Sequence, residues 1–143
     1  MKRLILTGII LCIALSGKCQ YNKGVIIEPL LKTDTTTIGQ KIVYPAYADD
    51  EVTIMKVTIP PGKSTGWHKH EFPVFAYVIK GSLTVETETG EDLQFKENSS
   101  FAEVINVNHN GTNKGIDDVV LIAFYMGEKG RKLSIPKEGL TKK

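Results

Sequence analysis

After residue 20 the chain nowhere carries a 12-residue run with helical period, and this absence constrains its fold more than any other feature. What it carries instead are short β-type runs separated by turn residues. Ile42 to Tyr44 is a brief apolar piece before Pro45. In Val52 to Ile59 the apolar positions change phase at Met55, which predicts a bulge there. Pro60-Pro61-Gly62-Lys63 ends that strand. Val74 to Ile79 is apolar at every position and should be covered on both faces. Lys80-Gly81 turns into Ser82–Thr87, Glu88-Thr89-Gly90-Glu91 turns again into Leu93–Phe95, and Val119–Met126 is the last strong strand. Short strands at close intervals without helices predict an all-β sandwich or barrel. A length of 143 residues allows one such domain with a real core.

The first residues read differently. Met1-Lys2-Arg3, an apolar stretch from Leu4 to Leu15 and then Ser16-Gly17-Lys18-Cys19 have the layout of a secretory signal peptide, residues 1–19. Cleavage after Ser16 or after Cys19 suits the small-residue rule. A lipid anchor on Cys19 is disfavoured by Lys18, which stands where lipoprotein signals carry a small residue. The apolar stretch is too short to span a bilayer comfortably, so no membrane insertion is expected after cleavage. The formal charge of the whole chain is +2, from 18 basic and 16 acidic residues. Lys2, Arg3 and Lys18 leave with the leader, so the mature chain has 15 basic and 16 acidic residues and a net charge of −1. That balance removes the support for a nucleic-acid partner. Both cysteines, Cys12 and Cys19, lie in the leader as well. The mature domain therefore forms no disulfide, and cysteine is not among its metal ligands. The expected division is residues 1–19 as leader, 20–49 as N-terminal strands and arm, 50–127 as barrel core, and 128–143 as a solvated basic tail ending in Lys142-Lys143.

The three histidines are His68, His70 and His109. Residues two apart in a strand share a face, so His68 and His70 can converge on one ion while Lys69 points away. His109 follows 39 positions after His70, a separation that suits a ligand from another strand of the same sheet. Three neutral imidazoles suit a divalent transition metal and leave coordination positions for water or substrate. By itself a His-x-His pair is as often a surface feature. Its setting here, between a Pro-Pro-Gly turn and a fully apolar strand, favours a site.

On these residues the chain resembles the cupins, whose first motif is Gly, five residues, His-x-His, three or four residues, Glu, six residues, Gly. Gly62, His68, His70 and Gly81 match it, and Val74 stands at the glutamate position. The second motif, Gly, five residues, Pro-x-Gly, two residues, His, three residues, Asn, falls on Asn98, Val104, Asn106, His109 and Asn113. Asn tolerates positive φ, so Asn98 and Asn106 are mild departures from the two motif glycines. The resemblance spans roughly residues 50 to 127 and implies a single antiparallel β-barrel of the double-stranded β-helix or jelly-roll kind.

The resemblance also implies a metal site, with iron, zinc, copper, nickel or manganese as the ion. Cupins often add the motif glutamate to three histidines, and a valine cannot ligate. Glu71 is turned away by strand parity unless Pro73 marks a bulge. Glu103 could reach the cavity or serve a turn, and Asn113 is read as a turn former; these three are the candidates for secondary or weak ligation. The expected ligand set is thus His68, His70 and His109. Val74 and Tyr77 are candidate pocket walls, while Trp67, Phe72 and Phe75 are read mainly as packing. With no anionic ligand the ion would keep its +2 charge and favour a chelating anion. Three-histidine cupins include thiol dioxygenases and a diketone-cleaving dioxygenase. The implied function is an exported, metal-binding cupin, whose open coordination sphere allows, without demanding, dioxygenase chemistry on a small chelating organic molecule. A non-catalytic small-molecule-binding protein and a structural barrel with a vestigial site are the alternatives, and a homodimer is implied by resemblance alone.

Overall fold

The computed structural model describes residues 24–139; the expected leader and Lys142-Lys143 lie outside them. Nine strands follow in order: β1 (Asp50–Ile59), β2 (His68–Lys69), β3 (Val74–Lys80), β4 (Ser82–Thr87), β5 (Asp92–Lys96), β6 (Ser100–Ala102), β7 (His109–Asn113), β8 (Val119–Glu128) and β9 (Ile135–Pro136). They form two antiparallel sheets, ordered β1-β8-β3-β6 and β5-β4-β7-β2-β9. No helix occurs among the described residues. The all-β expectation is met.

The core lies between the sheets. Ile59, Ala76, Val78, Phe101, Val119 and Leu121 from one sheet meet Leu83 and Val85 from the other. Val78 and Val119 are completely buried, worth about 1.5–3 kcal/mol each against an exposed side chain. Phe95 of β5 stacks on Phe101 of β6 at 3.8 Å between ring centroids. A second cluster, Phe72, Val74 and Ala123, fills the end of the sandwich below the histidines.

Several local expectations change. β1 runs opposite β8 in unbroken register from Asp50↔Glu128 to Ile59↔Val119, so the bulge predicted at Met55 is absent. The phase change has another cause: Val52 and Ile54 are apolar residues on the outer face, both exposed. An irregularity lies instead between Val78 and Lys80 in the β3–β8 pairing. Residues 24–49 contribute no strand, only an isolated bridge between Thr35 and Lys41. Their Leu30, Leu31 and Tyr44 lie along the outer face of β3, flanking Phe75 and Tyr77. The cover on this second face is partial: Phe75 and Tyr77 are half-buried and Ile79 is exposed. The solvated tail is also revised: β9 returns the chain to β2, with Ile135 opposite Lys69 and Pro136 opposite His68.

Turn chemistry places the loops. Pro60 to Lys63 closes with Lys63 N donating to Pro60 O (3.0 Å), and Gly62 takes the positive φ of 69° that a type II turn needs at its third residue. Asn98 and Asn106, at the second motif's glycine positions, have φ of 66° and 57°. Asn106 N donates to His70 O (2.8 Å), so its left-handed conformation holds a functional loop in place. A β-branched side chain there is strained by roughly 1–2 kcal/mol. Thermal unfolding should show Asn106→Val less stable than the parent by about that amount, with Asn106→Gly at least as stable as Asn106→Val plus that difference.

Candidate metal centre

The chain between the Pro-Pro-Gly turn and β2 is laid alongside β7. Gly62 N donates to Asn113 O (3.0 Å), Thr65 N to Gly111 O (2.9 Å), and Gly111 N to Thr65 Oγ1 (2.9 Å). This lacing sets His68 directly opposite His109 in the β2–β7 register. His70, two residues on, shares their face and bridges Ile105. The three rings meet with centroid separations of 4.5, 4.9 and 5.1 Å.

Each ring is held by a backbone carbonyl. His68 Nδ1 donates to Gly66 O (2.7 Å), His70 Nδ1 to Leu133 O (2.6 Å) and His109 Nδ1 to Val107 O (3.0 Å). A carbonyl only accepts, so Nδ1 carries the proton in all three and the lone pair of the neutral ring is left on Nε2. The strap that leads into β9 thus supplies the partner of His70, a role that its basic composition did not signal.

Glu103 joins the histidines. Its Oε2 lies 3.1 Å from Nε2 of both His70 and His109. One ligand atom from each of His68, His70, Glu103 and His109 falls within 4.8 Å of the others, and the group could hold a metal ion. The expected three-histidine set therefore gains a carboxylate. Its position follows from register: β3 and β6 pair Phe75 with Ala102, and one step further sets Glu103 opposite Val74. Glu103 N donates to Val74 O (2.8 Å) across that step. The side chain thus rises on the same face, one strand over from the motif's glutamate position. A usable signal was present in the sequence, since Glu103 is the only charged residue in Phe101-Ala102-Glu103-Val104, whose other members are buried.

The residue chemistry fits a cation. An unprotonated Nε2 beside a carboxylate oxygen is two acceptors in contact, tolerable only with a proton or a positive ion between them. Burial would push the Glu103 carboxyl up, yet the hydrogen bonds and charge of His109 and His70 outweigh it and hold the group well below the usual carboxylate range. Burial opposes charging of His109, but Glu103 prevails and raises its pKa. His68, further from the carboxylate, is lowered, first by burial.

The other candidates fall elsewhere. Glu71 is exposed and pairs with Arg131 (3.5 Å), as parity required. Tyr77 does not wall the site: it lies on the outer face of β3 and its hydroxyl donates to Asn98 Oδ1 (2.9 Å). Val74 faces inward but is packed with Phe72 and Ala123. Asn113 is a turn residue: its Nδ2 donates to Ile59 O and Asp117 O, and its Oδ1 accepts from Gly115 N. The wall residue that sequence reading missed is Tyr125, opposite Val74 in the β3–β8 register, with its ring 5.5 Å from that of His70. Nothing in the eight-residue apolar run of β8 revealed which residues face inward. Burial, with the Glu103 charge adding to it, pushes the Tyr125 phenol up to about 12, so it remains a hydrogen-bond donor.

Two spaces adjoin the cluster. Beneath it a chamber of about 50 Å³ reaches down to Ile59, Leu83, Val85 and Leu121. Above it an open basin of about 570 Å³ is bordered by Met55, Trp67, Tyr125, Leu133 and Pro136.

The cupin-domain family model matches residues 55–125, a span that contains all four clustered side chains. The chain belongs to the cupin family. Its structural neighbours agree. DMSP lyase DddQ from Ruegeria pomeroyi DSS-3 aligns with a TM-score of 0.55 at 10% identity, covering 64% of this cupin and 45% of the lyase. An uncharacterized conserved protein with a double-stranded β-helix domain from Klebsiella pneumoniae aligns at 0.52 and 14% identity, covering 66% and 91%. A chain from the crystal structures of DMSP lyases RdDddP and RnDddQII aligns at 0.53 and 18%, covering 61% of this cupin and 44% of that chain. This cupin thus spans less than half the length of the lyase chains, and the likeness is one of fold. No curated protein sequence matches it.

A carboxylate outside the cluster secures the loop that carries His109. Glu88 accepts from Asn108 N and Asn108 Nδ2 (both 2.9 Å) and from Lys137 Nζ (3.1 Å), tying that loop to the C-terminal strap. These donors, Asn108 first, lower its pKa from 4.5 to about 2. A depressed carboxylate stabilises the fold above its unfolded pKa and ceases to do so as the pH falls through the folded value. Comparing urea unfolding of the parent and Glu88→Gln, the stability difference should be full at pH 7. It should shrink below pH 4.5 and vanish near pH 2.

Proposed function

We propose that this cupin is an exported, metal-dependent enzyme whose centre of His68, His70, Glu103 and His109 takes a small chelating organic substrate. The observation that carries the reading is the common aim of three Nε2 lone pairs and one carboxylate oxygen at one point. Such a mixed imidazole and carboxylate set suits ferrous iron, manganese, nickel or zinc, and four protein ligands leave two positions of an octahedral ion for substrate. The ion when bound supplies Lewis acidity and, if redox-active, chemistry with dioxygen. Around it the chain positions and shields: backbone carbonyls fix the rings, the Tyr125 phenol stands ready to donate to a substrate oxygen, and apolar walls limit water.

Dioxygenation is the reaction class we favour. The cavity of about 50 Å³ is lined by the four clustered side chains and Tyr125 together with aliphatic side chains such as Ile59, Leu83 and Leu121, and it has room for a diatomic molecule. The carboxylate of Glu103 lowers the charge of the centre relative to a three-histidine site, so the case no longer rests on a full +2 ion.

Metal content, stability and turnover test this. Protein purified from its native compartment without added metal should contain near-stoichiometric iron, and N-terminal sequencing should find the leader removed. Chelation should lower the melting temperature, since an ion at 100 times its Kd stabilises the folded state by about 2.7 kcal/mol. Iron-loaded protein should consume oxygen with a thiol, a diketone or a catechol, and His109→Ala should abolish it. Glu103→Gln should weaken metal binding by at least the roughly 10–100-fold that loss of an outer-shell partner costs. Metal retention without turnover of any of these classes would favour a binding protein; no metal and no chelator effect would end the reading.

The proposal includes a homodimer. The outer edge of β1 has no strand partner among the described residues, and Val52 and Ile54 are 55% and 60% exposed. Two β1 strands paired antiparallel about Thr53 would set Val52 against Ile54 and Asp50 against Lys56, twice over by symmetry. Light scattering should give twice the chain mass for the parent and a monomer for Ile54→Lys; a monomeric parent refutes it.

A further inference from the structure

The basin above the centre has a marked chemical bias. Its border is Met55, Val57, Trp67, Tyr125, Leu133 and Pro136, with the hydroxyls of Thr65, Ser134 and Tyr125 among its neutral polar groups besides the cluster. No Asp, Glu, Lys or Arg lines it among the described residues. Two cations lie against its surroundings, and each is held by carboxylates outside the lining. Lys137 lies over the Trp67 ring at 5.4 Å and pairs with Glu88, while Arg131 lies over the Tyr47 ring and pairs with Glu71 and Glu128.

Resting on the metal-centre reading, we infer the class of substrate that this basin takes: a bidentate carbonyl or hydroxycarbonyl chelator on an apolar, ring-sized body without a second charged group. A phosphate or a distal carboxylate taken into this basin would leave water and meet no fixed cation, a cost that the lining cannot offset. An apolar body gains from every surface it covers. The volume of about 570 Å³ lies within the ~300–1,000 Å³ of small-molecule pockets, so a ring fits. The polar head is thus read by the ion and by Tyr125, and the body by Met55, Trp67, Leu133 and Pro136.

The test uses the full chain loaded with cobalt(II), whose visible spectrum reports ligand binding without turnover. Acetylacetone is compared with benzoylacetone, in which phenyl replaces one methyl, and with the same molecule bearing a carboxylate on the ring. We expect benzoylacetone to bind on the order of tenfold more tightly than acetylacetone, and the ring carboxylate to remove that gain. Met55→Lys should reverse the preference in favour of the carboxylated probe by placing a cation on the basin wall. Equal binding of the first two, or tighter binding of the carboxylated probe by the parent, overturns the inference and leaves the metal centre standing. If cobalt gives no spectrum and no stabilisation, the centre itself fails and the substrate class falls with it.

Discussion

Three hydrogen bonds from imidazole to backbone set the character of this protein. Gly66, Val107 and Leu133 each offer a carbonyl to one Nδ1, and together they turn three Nε2 atoms toward a single point. Ring orientation is thereby a property of the fold rather than of the ion. Two of the three carbonyls lie two residues before their own histidine, so β2 and β7 carry their orienting groups with them. The third is remote, 63 residues away in sequence, and it makes the C-terminal strap part of the centre.

That dependence explains otherwise scattered features of the periphery. The strap is anchored by β9 against β2, by Lys137 N donating to Trp67 O, and by Lys137 Nζ on Glu88. Glu88 in turn holds Asn108 beside His109. Exposed ion pairs add little to stability one at a time. Here the Glu88–Lys137 pair links the loop that carries His109 to the strap whose Leu133 carbonyl orients His70, and its value lies in geometry.

How much of this could be read from the chain depended on the kind of rule involved. Turn positions were legible because few residues accept positive φ, and Gly62, Gly81, Asn98 and Asn106 all adopt it. His68 and His70 were legible because a period of two is strict in strands. What stayed hidden was set by long-range pairing. β6 is only three residues long and β7 is polar throughout, so neither shows the alternation that marks β4. Tyr125 and Tyr77 look alike in sequence, and only register sends one toward the ions' site and the other to the outer face. The tail read as solvated because its two-residue strand is too short to leave a pattern. The bulge expected at Met55 was a fair inference from parity, overturned because an edge strand can carry apolar residues outward.

Val74 is best understood together with Glu103. The two are cross-strand neighbours on one face, so a glutamate at each position would bring two carboxylates to one buried point. Like charges so placed cannot both ionise, and one would have to take up a proton. A chain that supplies its carboxylate from position 103 therefore needs an uncharged side chain at 74. Valine meets that need and does more, filling the space between Phe72 and Ala123 beneath His70. The departure at the motif position is in this sense a transfer of the acid across one β-ladder, with the charge of the centre kept. Because Glu103 now approaches from the β6 side, its carboxylate lies beside His70 and His109, while His68, Tyr125 and the basin are left facing one another. The side of the centre that faces this basin is lined by no charged side chain among the described residues.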